Sequence, residues 1–122
     1  MRMSNLFIEY PKCTTCRKAR KWLEEQGAEF TDRHIAEQAP TAEEIRAWAA
    51  SSGLPLKKFF NTCGMKYREL GLSTKLASMS DEEQVALLAS DGMLVKRPLL
   101  VTESGCVIPG FKAETWQKAL GK

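Results

Sequence analysis

Histidine is almost absent from this chain: His34 is its one representative in 122 residues. A structural zinc site needs four ligands, usually two cysteine pairs or a cysteine pair and a histidine pair. The chain has four cysteines, of which only Cys13 and Cys16 stand at ligand spacing, so zinc is not expected. An excess of one charge is also lacking. Eighteen Lys and Arg face fifteen Asp and Glu, interleaved along the chain, and the net charge of +3 makes no case for nucleic acid. No apolar run approaches transmembrane length, so no membrane partner is expected. Met1-Arg2-Met3-Ser4-Asn5 leads into an apolar run too short for a signal peptide, and the expected compartment is the cytoplasm. Four cysteines do not make a disulfide scaffold. In a reducing compartment a close pair is catalytic, redox-sensing or metal-binding rather than structural. Repeats, low-complexity stretches and long linkers are missing. With 43% hydrophobic and 27% charged residues, the chain suits one globular domain over residues 1–122, expected as a monomer.

What is present concentrates at Tyr10-Pro11-Lys12-Cys13-Thr14-Thr15-Cys16-Arg17-Lys18. Leu6 to Tyr10 before it reads as a strand. Ala19, Trp22 and Leu23 after it share one helical face, and Gly27 marks the stop. Strand, Cys-x-x-Cys, helix is the setting of a thioredoxin-like redox motif. A thiol reacts as the thiolate, and a helix N-terminus favours an anion. Cys13, at the cap, would face the unpaired amides and solvent. Cys16, one turn on, would lie within disulfide reach but shielded, so Cys13 attacks and Cys16 resolves. Lowering a thiol pKa by about two units takes about 2.7 kcal/mol, whereas a helix terminus supplies about 0.3–1 when exposed. Backbone donors or a cation must add the remainder, and Lys12, Arg17 and Arg97 are the candidates.

The rest of the chain reads as follows. Glu29 to Ile35 is a second strand, parallel to the first in a βαβ unit. Thr41 and Glu44 form a capping box for a helix with Ile45, Trp48 and Ala49 on its buried face, ended by Gly53. Leu56 to Phe60 is a turn, and Met65 to Leu70 a short helix closed by Gly71. Ser80 and Glu83 cap a helix carrying Val85, Leu88 and Ala89, terminated by Gly92. Leu99 to Thr102 and Cys106 to Ile108 form a hairpin around Glu103-Ser104-Gly105, and a last helix carries Trp116, Ala119 and Leu120. The order β-α-β, helical insertion over about residues 40–92, β-β-α predicts an α/β domain with a mixed four-stranded sheet and flanking helices. Cys106 alternates with Ile108 and is expected buried and inert; Cys63, in an Asn-Thr-Cys-Gly break that could expose it, is expected to be an inert surface thiol. His34 falls in a strand and is poorly placed as a general base. Pro98 heads a strand, where a missing amide costs nothing. A thioredoxin-like fold also places a cis proline at this point, and X-Pro bonds are where cis peptides occur.

Five segments together resemble the arsenate reductase-like branch of the thioredoxin superfamily, which includes the Spx regulators. They are Tyr10 to Ala19, Lys58 to Thr62, Tyr67 to Leu72, Lys96 to Val101 and Val107 to Phe111. The resemblance covers nearly the whole chain. It implies a thioredoxin-like fold with an inserted helical lobe, and Cys13 as nucleophile. Glutaredoxin-coupled arsenate reductases of this branch hold the oxyanion with three arginines. Arg97 matches one and would bind substrate or stabilise the thiolate. Phe60-Asn61-Thr62-Cys63 and Cys106 to Gly110 supply no counterpart to the other two. Cys16, in turn, provides a resolving thiol that those enzymes lack at this spacing. The expectation is a thiol–disulfide oxidoreductase with no bound cofactor, acting on a thiol or disulfide substrate and drawing electrons from glutathione, thioredoxin or glutaredoxin. Two alternatives come with the resemblance: a redox-sensing Spx-type regulator that binds the RNA polymerase α subunit, and a glutathione- and glutaredoxin-coupled arsenate reductase.

Overall fold

The computed structural model describes residues 5–62 and 64–121. The chain divides into two compact units, one formed by the residues up to His34 and from Arg97 onward, the other by Ile35–Lys96.

The first unit holds a four-stranded sheet in the order β2-β1-β3-β4, with β1 (Asn5–Glu9), β2 (Phe30–His34), β3 (Leu99–Val101) and β4 (Val107–Pro109). The crossover through α1 (Thr14–Glu25) makes β1 and β2 parallel, while β3 runs antiparallel to both β1 and β4. Residues opposite one another share a face, so the register sets Asp32, Phe7, Leu100 and Ile108 in one row across the sheet. Phe7 and Leu100 from this row meet Ala19 and Leu23 of α1 and Trp116 of α6 (Ala113–Ala119) in the core. Trp116 is the hub. Phe7, Trp22 and Phe111 meet its ring edge to face at 6.1, 6.3 and 4.9 Å, and its indole N–H donates to the Gly110 carbonyl at 3.0 Å. Such a buried aromatic with its polar atom satisfied contributes several kilocalories per mole, about 3–5 by truncation to alanine.

The β3–β4 turn corrects one expectation. Cys106 precedes β4 and is exposed rather than buried. The Thr102 hydroxyl accepts its amide at 3.0 Å, the Thr102 amide donates to its carbonyl at 2.8 Å, and the Ser104 hydroxyl points at its sulfur, 3.9 Å away. These bonds bind Cys106 into the turn, where nothing packs over it. Cys63 lies outside the described residues.

The second unit is helical: α2 (Ala42–Ser52), α3 (Met65–Glu69), α4 (Leu72–Lys75) and α5 (Asp81–Ser90), with 3-10 turns at Leu56–Phe59, Leu76–Ser78 and Gly92–Leu94. Both expected capping boxes form, Thr41 with Glu44 and Ser80 with Glu83, and α2 packs on α5. Helix α5 ends at Ser90 with Asp91 as its cap, directly before the expected stop at Gly92, and the Asp91 carboxylate accepts the Met93 amide at 2.9 Å and starts the next turn. Gly92 is required for another reason: a Cβ there would run into the Ile35 carbonyl. The stretch after Gly71 gave no helix signal, yet it forms α4 and a 3-10 turn. Gly71 enters it at φ 62°, and Leu72 and Leu76, four apart, bury on one face.

Candidate functional site

The site grows from the end of β1. Strand pairing stops at Glu9, and Tyr10-Pro11-Lys12 turns the chain into α1 with Cys13 as its N-cap (φ −83°, ψ 122°). The Cys13 amide donates to the Tyr10 carbonyl at 2.9 Å, closing the turn, and its carbonyl accepts the Arg17 amide at 3.1 Å. Its sulfur takes the capping role usually filled by Ser or Asp, accepting the Cys16 amide at 3.3 Å. Negative charge developing on that sulfur therefore meets a helix N-terminus and a backbone donor already aimed at it.

Cys16 differs in every respect. Only 1% of its surface is exposed, whereas Cys13 is half-buried. Burial pushes the Cys16 thiol up to about 12, against a backbone hydrogen bond from Tyr10 that lowers it; the Cys13 side chain, by hydrogen bond and charge, and the Glu9 carboxylate raise it further. Both cysteines are free thiols. One sulfur is thus accessible and provided with a donor, and the other is stored as a protonated thiol one turn behind it.

Of the three candidate cations, Arg97 reaches the motif's own segment. Its guanidinium carbon lies 5.0 Å from the centroid of the Tyr10 ring, a cation–π distance. The His34 ring meets Tyr10 edge-on at 5.6 Å. The Arg97–Pro98 peptide is cis, as expected, and the Pro98 carbonyl accepts the Gly110 amide at 2.8 Å. Arg17 turns back instead, its Nε donating to the Pro11 carbonyl at 2.9 Å, and Lys12 is exposed. Asn61, in the segment where the resemblance would place a second oxyanion-binding arginine, belongs to the helical unit, with its amide on the Leu94 carbonyl at 2.8 Å.

Beside the thiols lies a charged cluster that reading the sequence missed. Glu9 is 5% exposed and, with Thr102, makes up the buried polar side chains among the described residues. Arg20, one turn beyond Cys16 on α1, places Nη1 3.5 Å from the Glu9 carboxylate and pairs with Asp32 of β2 as well; its Nε lies 3.6 Å from Glu24. Burial and the neighbouring Asp32 charge push the Glu9 carboxyl above its ordinary range, and Arg20 pulls it back in part. The signal was available: Glu9 alternates in phase with buried Phe7, and Arg20 follows Cys16 by four.

The helical unit contains a groove of about 760 Å³ lined by Arg46, Leu54, Lys57, Met79, Glu82 and Val85, among others. None of Cys13, Cys16 and Arg97 lines it. Among the described residues no group of three or more acidic, cysteine or histidine side chains is arranged to hold a metal ion, and no helix is long and apolar enough to cross a membrane.

Comparison with known proteins agrees with this architecture. The uncharacterized protein YusI of Bacillus subtilis is 60% identical over 116 residues, covering 95% of this chain and 98% of its own. The regulatory protein MgsR of the same organism is 31% identical over 84% of this chain and 79% of its own. A crystal structure of an ArsC family related protein from Bacteroides fragilis superposes with a TM-score of 0.92 at 57% identity, over 97% of this chain and 98% of that one. More distant relatives include proteins named as Spx regulators and as arsenate reductases, and the fold is the thioredoxin-like one of these proteins. The family model described as the ArsC family matches residues 8–119, and the chain belongs to that family.

Proposed function

We propose that this protein is a thiol–disulfide oxidoreductase of the reducing cytoplasm in which Cys13 is the attacking thiolate and Cys16 the resolving thiol. The observation that carries the reading is the division of labour between the sulfurs: Cys13 caps the helix, half-buried and facing the Cys16 amide, while Cys16 is fully buried and held protonated. In the first step the Cys13 thiolate attacks a substrate disulfide. A Cys13–substrate disulfide forms, the substrate S–S bond breaks, and one substrate thiol leaves. In the second step Cys16 loses its proton and attacks the Cys13 sulfur. The internal disulfide forms, and the second substrate thiol leaves with that proton. Two electrons have then passed from the pair to the substrate, and glutathione or a redoxin dithiol returns them. The environment orders these steps. While Cys13 is a thiol or thiolate it opposes ionisation of Cys16 by hydrogen bond and charge. Once Cys13 is in a mixed disulfide, both effects are removed. Arg97, held on the Tyr10 ring, supplies positive charge next to the motif for an anionic thiol substrate such as glutathione. The test is turnover of a small mixed disulfide with glutathione, which is expected in the unmodified chain and lost in Cys13→Ser; equal turnover in both refutes the reading.

A second reading has specific support in the 31% identity to the regulatory protein MgsR and in the Spx relatives. In it the same pair is a redox switch controlling contact with the RNA polymerase α subunit. Pull-down of polymerase by the oxidised and reduced forms separates the two: capture by one form only favours the switch. Arsenate reduction, suggested by the relatives named arsenate reductases, has the weakest support, since Arg97 alone matches the oxyanion-binding arginines.

A further inference from the structure

The ends of three neighbouring strands converge on Tyr10. The antiparallel pairing of Ile8 with Leu99, continued by two residues, sets Arg97 across from Tyr10, and β2 ends at His34 on the other side of β1. Both neighbours touch the ring. The Arg97 guanidinium carbon lies 5.0 Å from its centroid, and the His34 ring meets it edge-on at 5.6 Å. Tyr10 also opens the turn that the Cys13 amide closes on its carbonyl at 2.9 Å. One residue thus joins the segment carrying Cys13 to the arginine, and all three side chains of the stack are half-buried. We propose that Tyr10 is a specificity-determining residue. Its ring fixes the Arg97 guanidinium beside Cys13, and the site thereby selects small disulfides that carry a carboxylate near the sulfur over neutral ones, an inference that rests on Cys13 as the attacking thiolate.

The physical case is pre-organisation. Helix α1 has no acidic residue in its first turn, and Lys12, Arg17 and Lys18, next to the pair in sequence, are exposed. Such charges attract any anion but hold it in no single place, because long exposed side chains lose rotamer freedom on binding and salt screens them. Arg17 is committed further by its bond to the Pro11 carbonyl. Arg97 is half-buried and seated on a ring, so it loses less freedom when it takes a carboxylate. A ring attracts the delocalised charge of a guanidinium, whereas a carboxylate binds its fork of N–H donors, and contact with Tyr10 does not by itself use up that fork. The attraction comes from the negative face of the ring, which phenylalanine shares with tyrosine and leucine lacks. The Tyr10 hydroxyl is therefore dispensable for this role and the ring is not. Carboxylate-bearing disulfides are the class to which those of glutathione belong.

The experiment uses the full chain with Cys63→Ser and Cys106→Ser and two aromatic disulfides. Dithiobis(nitrobenzoate) has a carboxylate on each ring, and dithiodipyridine has none. The rate of the first thiolate release from each, at one pH and low salt, reports attack by Cys13. The ratio of the two rates, carboxylate reagent over neutral one, cancels any change in the reactivity of the Cys13 thiolate itself. Tyr10→Leu is expected to lower that ratio by roughly tenfold, and Tyr10→Phe to keep most of it. Arg97→Met should lower it by the same factor as Tyr10→Leu, and the two changes together should lower it no further, because they remove one and the same interaction. A parent ratio retained in Tyr10→Leu, with both rates moving together, overturns the inference and leaves Tyr10 a structural role. So does an equal loss in Tyr10→Phe and Tyr10→Leu, or a further fall when Tyr10→Leu is added to Arg97→Met. A first release that survives Cys13→Ser overturns the choice of nucleophile and the inference with it. Release of only one thiolate per parent chain overturns the dithiol reading, while the ratio still decides the role of Tyr10.

Discussion

The buried state of Cys16 makes a quantitative prediction about its reactivity. Its thiol is raised from the usual 9.0 to about 12, chiefly by burial, so near neutral pH the thiolate fraction falls by about a thousandfold. A more basic thiolate is intrinsically a better nucleophile. With a Brønsted slope of about 0.4–0.5, that recovers roughly 15- to 30-fold and leaves a net deficit of roughly 30- to 60-fold. The 1% exposure of the side chain adds a steric barrier on top of this chemical one. Alkylation of the native chain by iodoacetamide near neutral pH, read peptide by peptide by mass spectrometry, should therefore label Cys16 at least about 30-fold more slowly than the same cysteine in the urea-unfolded chain. Half-buried Cys13 should be labelled well before it. Native Cys16 labelling within a few-fold of the unfolded rate would mean that the sulfur is neither buried nor held protonated, and the assignment of a stored resolving thiol would fall.

Stability should fall in alkaline solution. The folded-state value for Cys16 lies above its unfolded value, so its contribution is fully present below about pH 9 and is lost as pH rises toward about 12. Urea melts across that window should lose up to about 1.4 kcal/mol per pH unit, with a flatter profile for Cys16→Ala. For Glu9 the folded value is likewise raised, so at neutral pH its charge brings no net stability. Glu9→Gln should then melt at or above the parent temperature at pH 7, and a clearly lower melting temperature would contradict the direction of that shift. Arsenate turnover with glutathione and glutaredoxin should be weak or absent. Two missing charge-assisted contacts, at about 1.5–3 kcal/mol each, weaken oxyanion binding by a hundredfold to many thousandfold. Asn61→Arg should recover part of the binding, and efficient turnover by the unmodified chain would reverse the preference for disulfide chemistry.

Much of this architecture was legible because local signals and tertiary demands coincide. Leu6-Phe7-Ile8 is both a strand former and the centre of the sheet, and the two capping boxes sit where their helices begin. The Cys-x-x-Cys pair declared its place because a strand, a tight turn and a helix start adjoin it. What stayed hidden depended on partners distant in sequence or on side chains diverted to backbone. Cys106 matched a strand alternation, but the Thr102 hydroxyl claimed its amide and drew it into the turn. Glu9 stayed hidden within its strand because its partners, Asp32 of β2 and Arg20 of α1, come around it only through the parallel β1–β2 pairing and the crossover helix. Arg17 had the right charge and spacing to assist Cys13, but its guanidinium is tied to the Pro11 carbonyl. Such competition between partners is settled by packing and cannot be read from spacing alone.

The central claim is that Cys13 and Cys16 form a reversible internal disulfide by way of a mixed disulfide on Cys13. Its most direct test is to react the reduced chain, carrying Cys63→Ser and Cys106→Ser, with one equivalent of oxidised glutathione and follow intact and peptide masses over time. The account predicts a transient glutathione adduct on Cys13, followed by release of two glutathione thiols per chain and a Cys13–Cys16 linked peptide that reductant reopens. A stable adduct on Cys13 with no linked peptide at any time, or an adduct on Cys16 first, would contradict it.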